Sequence, residues 1–201
     1  MMYKGLFLDF GGVIADEGYR EGLYKIAKRY NIDPDIFFKR CADLIYETGY
    51  ITGESSQGVY FDEIRKTFGI EIDDEEFENM ILNSFRIRGA ILEAVDRIRK
   101  RGIITAILSD QTDWLDRLNR KYNFFRFFDY VFNSYHIKMG KRDEKTFLYV
   151  ADKTGLSPSE IIFIDDQIPN VERAKRTGMN AVCLTIENEI IDFLKKNFLE
   201  V

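Results

Sequence analysis

A chain of 201 residues, 45% hydrophobic and 31% charged, holds enough apolar material for one core, alone or with a smaller insertion, and too much for a disordered segment. The net charge of −5 with scattered Lys and Arg leaves no nucleic-acid footprint, while a single histidine (His136) and two distant cysteines (Cys41, Cys183) remove the usual parts of zinc sites, disulfide frameworks and His-based triads. No apolar run approaches the roughly 20 residues a membrane span needs, and the first residues carry no small-residue cleavage site, so the expected location is cytoplasmic.

Any chemistry must then run mostly on carboxylates, hydroxyls and lysines. Residues 3–9 (YKGLFLD) form an apolar run that ends in Asp9 and a glycine pair, the pattern of a buried parallel strand leaving through a tight turn. Residues 16–85 break the rhythm. They hold no strand pattern and instead give amphipathic helices over 19–30, 34–48, 57–68 and 73–85, separated by stop-and-cap sequences at Asn31–Pro34 and Gly69–Asp73. A helical stretch of about 70 residues exceeds what one crossover needs, so it is expected to be an inserted domain, with the core built from 1–15 and 86–201. The strand pattern then returns at 103–109, 130–132, 161–164 and 181–184, with helical patterns at 91–98, 114–118 and 190–198. Ser157-Pro158 is expected to break the chain without starting a helix, and Gly155 and Gly178 to close helices. The expectation is an α/β fold, a doubly wound parallel sheet carrying an inserted helical bundle.

Ligands of open parallel sheets bind beyond the carboxyl ends of the strands. Polar groups gather at four such ends: Asp9, Ser109 with Asp110, Ser134, and Asp165 with Asp166. Each alone is more often a turn former or a helix cap; four together are harder to dismiss.

The segments LFLDFGGVI, AILSD, Lys141 in NSYHIKMGKRDEKTF, and IIFIDDQIPNVERAKRTGM resemble, in order, the four signature motifs of haloacid dehalogenase-like hydrolases. The most specific is DDxxxNxxxAxxxG, realised as Asp165, Asp166, Asn170, Ala174 and Gly178, and the helical insertion sits where this family carries a helical-bundle cap. The resemblance implies a Rossmann-like core and a magnesium-dependent phosphomonoesterase acting on a small phosphorylated metabolite. Asp9 would be the nucleophile. Mg2+ would be held by Asp9, Asp166 and the Gly11 carbonyl, with Asp165 a further ligand or outer partner. Ser109 and Lys141 would hold the phosphoryl group, and Lys141 keeps the family's seven-residue spacing from Ser134 where Lys138 does not. Asp110 lies in the same substrate-facing segment. A carboxylate facing a phosphate repels it, so Asp110 is expected to turn away as the N-cap of a helix over 112–122. Ser134 serves equally well as a turn residue, Asn170 as a group orienting the following helix, and Trp114 with Phe124, Phe125, Phe127 and Phe128 as packing. Arg20, Tyr24 and Tyr50 of the insertion, with Arg86 at its far end, are the residues that could reach the cleft.

One departure matters. Family phosphatases carry a second Asp two positions after the nucleophile, and this chain has Gly11 there. Without that acid, turnover should depend steeply on the leaving group. Two other readings therefore stand beside the first: a weakly active relative that binds a phosphorylated ligand or a protein partner, and a dehalogenase. The oligomeric state leaves no mark on the sequence.

Overall fold

In the computed structural model, which describes residues 3–199, the apolar runs become five strands: β1 (Gly5–Leu8), β2 (Ile104–Ser109), β3 (Tyr130–Asn133), β4 (Ile161–Asp165) and β5 (Asn180–Cys183). They pair in parallel in the order β3-β2-β1-β4-β5, with Leu8 opposite both Ile107 and Ile164. The first strand is thus central, and its carboxyl end lies between those of β2 and β4.

Side chains alternate across the sheet, as the pleat requires. Leu6, Leu8, Ile107, Ile162 and Ile164 point to one face and pack on α5 (Gly89–Arg99), α6 (Trp114–Tyr122) and α10 (Glu187–Leu194). Phe7, Ala106, Leu108 and Phe163 point to the other and pack on α8 (Lys145–Thr154) and α9 (Ile168–Arg176). The short α7 (Ser134–Ile137) follows β3 directly. Burial on both faces explains why the strands read as continuous apolar runs. The doubly wound α/β expectation is met.

Residues 16–85 fold as α1 (Gly18–Arg29), α2 (Pro34–Glu47), α3 (Gln57–Phe68) and α4 (Asp74–Leu82). The caps lie where the sequence signals them. Asp33 accepts from the Asp35 and Ile36 N–H groups ahead of Pro34, Asp73 accepts from Glu76 N–H at 2.7 Å, and Gly69 closes α3 at φ +63°; each such side-chain cap contributes about 1 kcal/mol. Leu23, Ile26, Phe37, Phe61, Ile64 and Phe77 form an apolar interior continuous with the adjacent sheet face. Where the chain leaves and re-enters the sheet layer, Asp16 N–H donates to Arg86 O (3.0 Å) and Arg88 N–H to Ile14 O (2.9 Å).

One local expectation fails. Ser157-Pro158 does start a helix: Pro158–Glu160 form a single 3₁₀ turn closed by a capping box between Ser157 and Glu160. Pro at the first helical position lacks only an N–H that would be unpaired anyway. No helix among the described residues is long and apolar enough to cross a membrane.

Candidate functional site

Asp9 is the first residue past β1. Its N–H still donates to Ile164 O at 2.9 Å, which fixes the backbone, while its carboxylate enters a cavity of about 430 Å³ between the strand ends and the helical segment. The residue is 5% exposed and its carboxylate fully engaged. Phe10 N–H and the Ser109 hydroxyl both donate to Oδ1 at 2.7 Å. Lys141 Nζ lies 2.6 Å from Oδ2 and 2.6 Å from Asp165 Oδ2. Asp165 in turn accepts from Gln167 N–H (2.8 Å) and from the Asn170 amide (3.2 and 3.3 Å). Asn170 therefore holds an acid at the strand end, where the sequence reading expected it to orient the following helix.

Asp9, Asp165 and Asp166 each offer one oxygen within 4.8 Å of the others. One lysine does not balance three acids at that spacing. Burial, opposed by Lys141 and reinforced by Asp165 and Asp166, holds the Asp9 carboxyl well above its ordinary range. Burial and the neighbouring Asp165 raise Asp166 to about 6. Burial alone would lower Lys141; the charges of Asp165, Asp9 and Asp110 override it and keep the ammonium protonated far above its ordinary value. Asp166 Oδ1 is buried with no hydrogen-bond partner among the described residues. An orphaned carboxylate oxygen beside two more acids is a donor set suited to a hard, oxygen-seeking cation.

The loop after β1 is shaped for this approach. Gly12 adopts φ +73°, and a Cβ there would lie 2.4 Å from Asp166 Oδ2. The Arg88 guanidinium donates to the carbonyls of Gly12 (2.7 Å), Val13 (3.2 Å) and Thr185 (3.1 Å), tying the loop to the chain beyond β5.

Asp110 corrects an expectation. It caps no helix; Asp113 is the residue before α6. Its carboxylate instead accepts from Lys141 N–H (2.8 and 3.1 Å) and from the Tyr46 hydroxyl (2.9 Å). The acid that sequence reasoning turned away from the cleft lines its wall and anchors the lysine loop. Ser134 is structural, bonded to Ile51 O and to the backbone of Gln111. Lys138 donates to Gly53 O, outside the acid cluster.

The residues in and beside the insertion singled out from sequence lie elsewhere. Arg20 and Tyr24 bond each other and Asp35, the Tyr50 hydroxyl bonds Asp113, and Arg86 is exposed. The helical segment reaches the cavity instead through Glu17, Tyr19, Phe38, Ile45 and Tyr46. Trp114 is 1% exposed and packs as expected, with one edge on the cavity and its indole N–H on Gln57. Arg142, whose guanidinium lies 3.5 Å over the Tyr46 ring, and Arg173 complete the rim. Glu17 carries a distinctive charge state: burial and the Asp166 charge raise its carboxyl to about 7. No spacing rule marks it in the sequence, because it precedes α1 without belonging to any strand end.

A model of the haloacid dehalogenase-like hydrolases matches residues 3–178. Rat bifunctional epoxide hydrolase 2 is 26% identical over 100 residues, which are 46% of this chain and 18% of that protein, so the chain spans under a fifth of this relative. A haloacid dehalogenase family enzyme from Bacteroides thetaiotaomicron has a similar structure (24% identity, TM-score 0.79, 96% of this chain and 99% of that one). The same enzyme has been solved in complex with magnesium and inorganic phosphate (23% identity, TM-score 0.71, 90% and 93% covered). A hydrolase of the same family from Porphyromonas gingivalis is similar over 98% of both chains (22% identity, TM-score 0.75).

Proposed function

From its membership of the haloacid dehalogenase-like hydrolases, we propose that this chain is a magnesium-dependent phosphomonoesterase whose nucleophile is Asp9. The observation that carries the reading is the buried cluster of Asp9, Asp165 and Asp166, with Lys141 as its internal counter-charge and an Asp166 oxygen that has no partner among the described residues. Three carboxylates so close are tolerated only with added positive charge. The magnesium and phosphate bound by the Bacteroides relative support assigning that charge to Mg2+ and the cleft to a phosphoryl group. Asp9, Asp166 and the Gly11 carbonyl would hold the ion, with Asp165 beside it. When bound, the ion supplies charge that neutralises the phosphoryl oxygens.

The chain's own residues do the rest. An Asp9 oxygen attacks phosphorus and the bond to the leaving oxygen breaks, giving an aspartyl-phosphate that water then hydrolyses; one hard displacement becomes two easier ones. The Ser109 hydroxyl and the Lys141 ammonium, both 2.7 Å or less from Asp9 oxygens, are placed to hold the phosphoryl group there. Residues 16–85 act as a cap whose aromatic wall of Tyr19, Phe38 and Tyr46 selects a small phosphorylated metabolite.

Release of phosphate from an aryl phosphate, measured with magnesium and then with excess chelator, tests the reading, alongside halide release from a 2-haloacid. Magnesium-dependent phosphate release is the expected result. Halide release without added metal, or saturable phosphate binding with no turnover, would replace it.

A further inference from the structure

Gly11 occupies the position of the missing proton donor, and the space in front of it is filled by another residue. A Cβ built on Gly11 would meet the Glu17 carboxylate and nothing else: Oε1 at 2.5 Å and Cδ at 3.6 Å. Gly11 is not in the left-handed region, so its backbone accepts a side chain. What excludes an Asp there is a carboxyl already in place.

Glu17 is free for such a task. It precedes α1, the position where an acid ordinarily accepts from the first-turn N–H groups, yet its side chain makes no capping bond. The carboxyl turns instead into the cavity that also receives Asp9, Ser109 and Lys141. Its orientation is fixed from behind. Asp16 N–H bonds Arg86 O at 3.0 Å, Gly18 N–H bonds Asp16 O at 2.7 Å, and the buried Gly18 lies against Phe85.

Resting on the phosphatase reading above, we propose that Glu17 is the acid and base that position 11 lacks. As Asp9 attacks phosphorus, the Glu17 carboxyl gives its proton to the departing oxygen, so the product leaves as an alcohol. The resulting Glu17 carboxylate then takes a proton from the water that attacks the aspartyl-phosphate. Asp9 is regenerated, phosphate departs and Glu17 is protonated again; the sum is ester plus water to alcohol plus phosphate. The acid comes from the edge of the helical segment, so proton donation is tied to how that segment seats on the strand ends.

The test is kcat/KM against leaving-group acidity for one series running from dinitrophenyl to alkyl phosphates at saturating magnesium. Wild type, Glu17→Gln, and the double variant Gly11→Asp/Glu17→Ala are compared. The wild type is expected to show a shallow dependence. Glu17→Gln should lose about 10²–10⁴-fold on alkyl phosphates and under tenfold on dinitrophenyl phosphate, whose leaving group needs no proton. Its aspartyl-phosphate should accumulate, giving a burst. The double variant places a carboxylate in the vacated volume and should recover at least tenfold of the alkyl loss. Equal losses on all substrates, or a more than tenfold weaker magnesium half-saturation in Glu17→Gln, would overturn the assignment and make Glu17 structural or a metal ligand. A wild type that hydrolyses no phosphate ester at all would instead overturn the phosphatase reading, and this inference with it.

Discussion

Asp9 and Lys141 show how few side chains hold the site's charge balance. Asp9→Asn keeps the size of the side chain and its bond to Ser109 while removing the proposed nucleophile, so turnover should fall below a thousandth of wild type with the thermal midpoint nearly unchanged. Retention of a tenth of the rate in a contaminant-free sample would contradict the role. Lys141→Met leaves two buried carboxylates facing each other without their ammonium, now 2.6 Å from each. Removing one partner of a buried pair costs about 3–5 kcal/mol, which at this size lowers Tm by on the order of 10 °C in chelator. A change of under 2 °C would show that the acids are already neutral. Stability should also depend on pH in a defined direction. Glu17 and Asp166 titrate near 7 and 6 when folded, against 4.5 and 3.8 for the ordinary groups. Between those values the folded chain holds more protons than the unfolded one, so stability falls as pH rises. Metal-free Tm should therefore drop from pH 5 to pH 8 and respond less in Glu17→Gln; a Tm that climbs over that range would contradict the burial of these acids. Legibility at this scale divides by cause. Asp9, Ser109, Asp165 and Asp166 were readable because each terminates or follows an apolar run, and Lys141 through the resemblance to the family motif, which sets its spacing from Ser134. Glu17 was not, since its relation to Gly11 exists only in three dimensions, and Asp110 was misread because electrostatic reasoning about phosphate did not foresee its bonds to Lys141 N–H and Tyr46.

The turn between β1 and α1 is the element on which the acid cluster depends. Gly12→Ala adds both left-handed strain and a contact of 2.4 Å with Asp166, whereas Gly69→Ala, at φ +63° with nothing within 4 Å, adds strain alone. Strain costs roughly 1–2 kcal/mol. Gly12→Ala should thus lower Tm by more than Gly69→Ala and also blunt the response to magnesium, which Gly69→Ala leaves intact. Equal behaviour of the two would mean that Asp166 yields freely and is not a fixed ligand. Element identity was legible wherever periodicity and caps agreed, as for α3 over Gln57–Phe68 with Ser56 before it and Gly69 after it. It failed at Ser157-Pro158, where a breaker and a helix starter share the same two residues and the Glu160 side chain decides between them. Arg88, which ties together the loop after β1 and Thr185, carries no local signal because its partners lie 72 or more residues away in sequence.

The sheet order β3-β2-β1-β4-β5 brings three strand ends together around Asp9, and that convergence is what a bound ion would reinforce. A ligand held only by the folded chain stabilises it by about 2.7 kcal/mol at a hundred times its dissociation constant. Magnesium should accordingly raise Tm by roughly 5–10 °C, and Asp166→Ala should remove most of that rise; equal shifts in the two proteins would place the ion elsewhere. The parallel α/β architecture was legible because strands buried on both faces write themselves as apolar runs, while the packing of α1–α4 against the strand ends, and so the identity of the cavity wall, depends on tertiary contacts that no local pattern encodes. The most direct test of the account is to mix the protein and magnesium with a phosphate ester carrying a radiolabelled phosphoryl group, quench in acid within one turnover, and map the label. The account predicts an acid-stable, hydroxylamine-labile acyl phosphate on the peptide containing Asp9, absent from Asp9→Asn. Turnover with no label on that peptide, or label retained in Asp9→Asn, would contradict it.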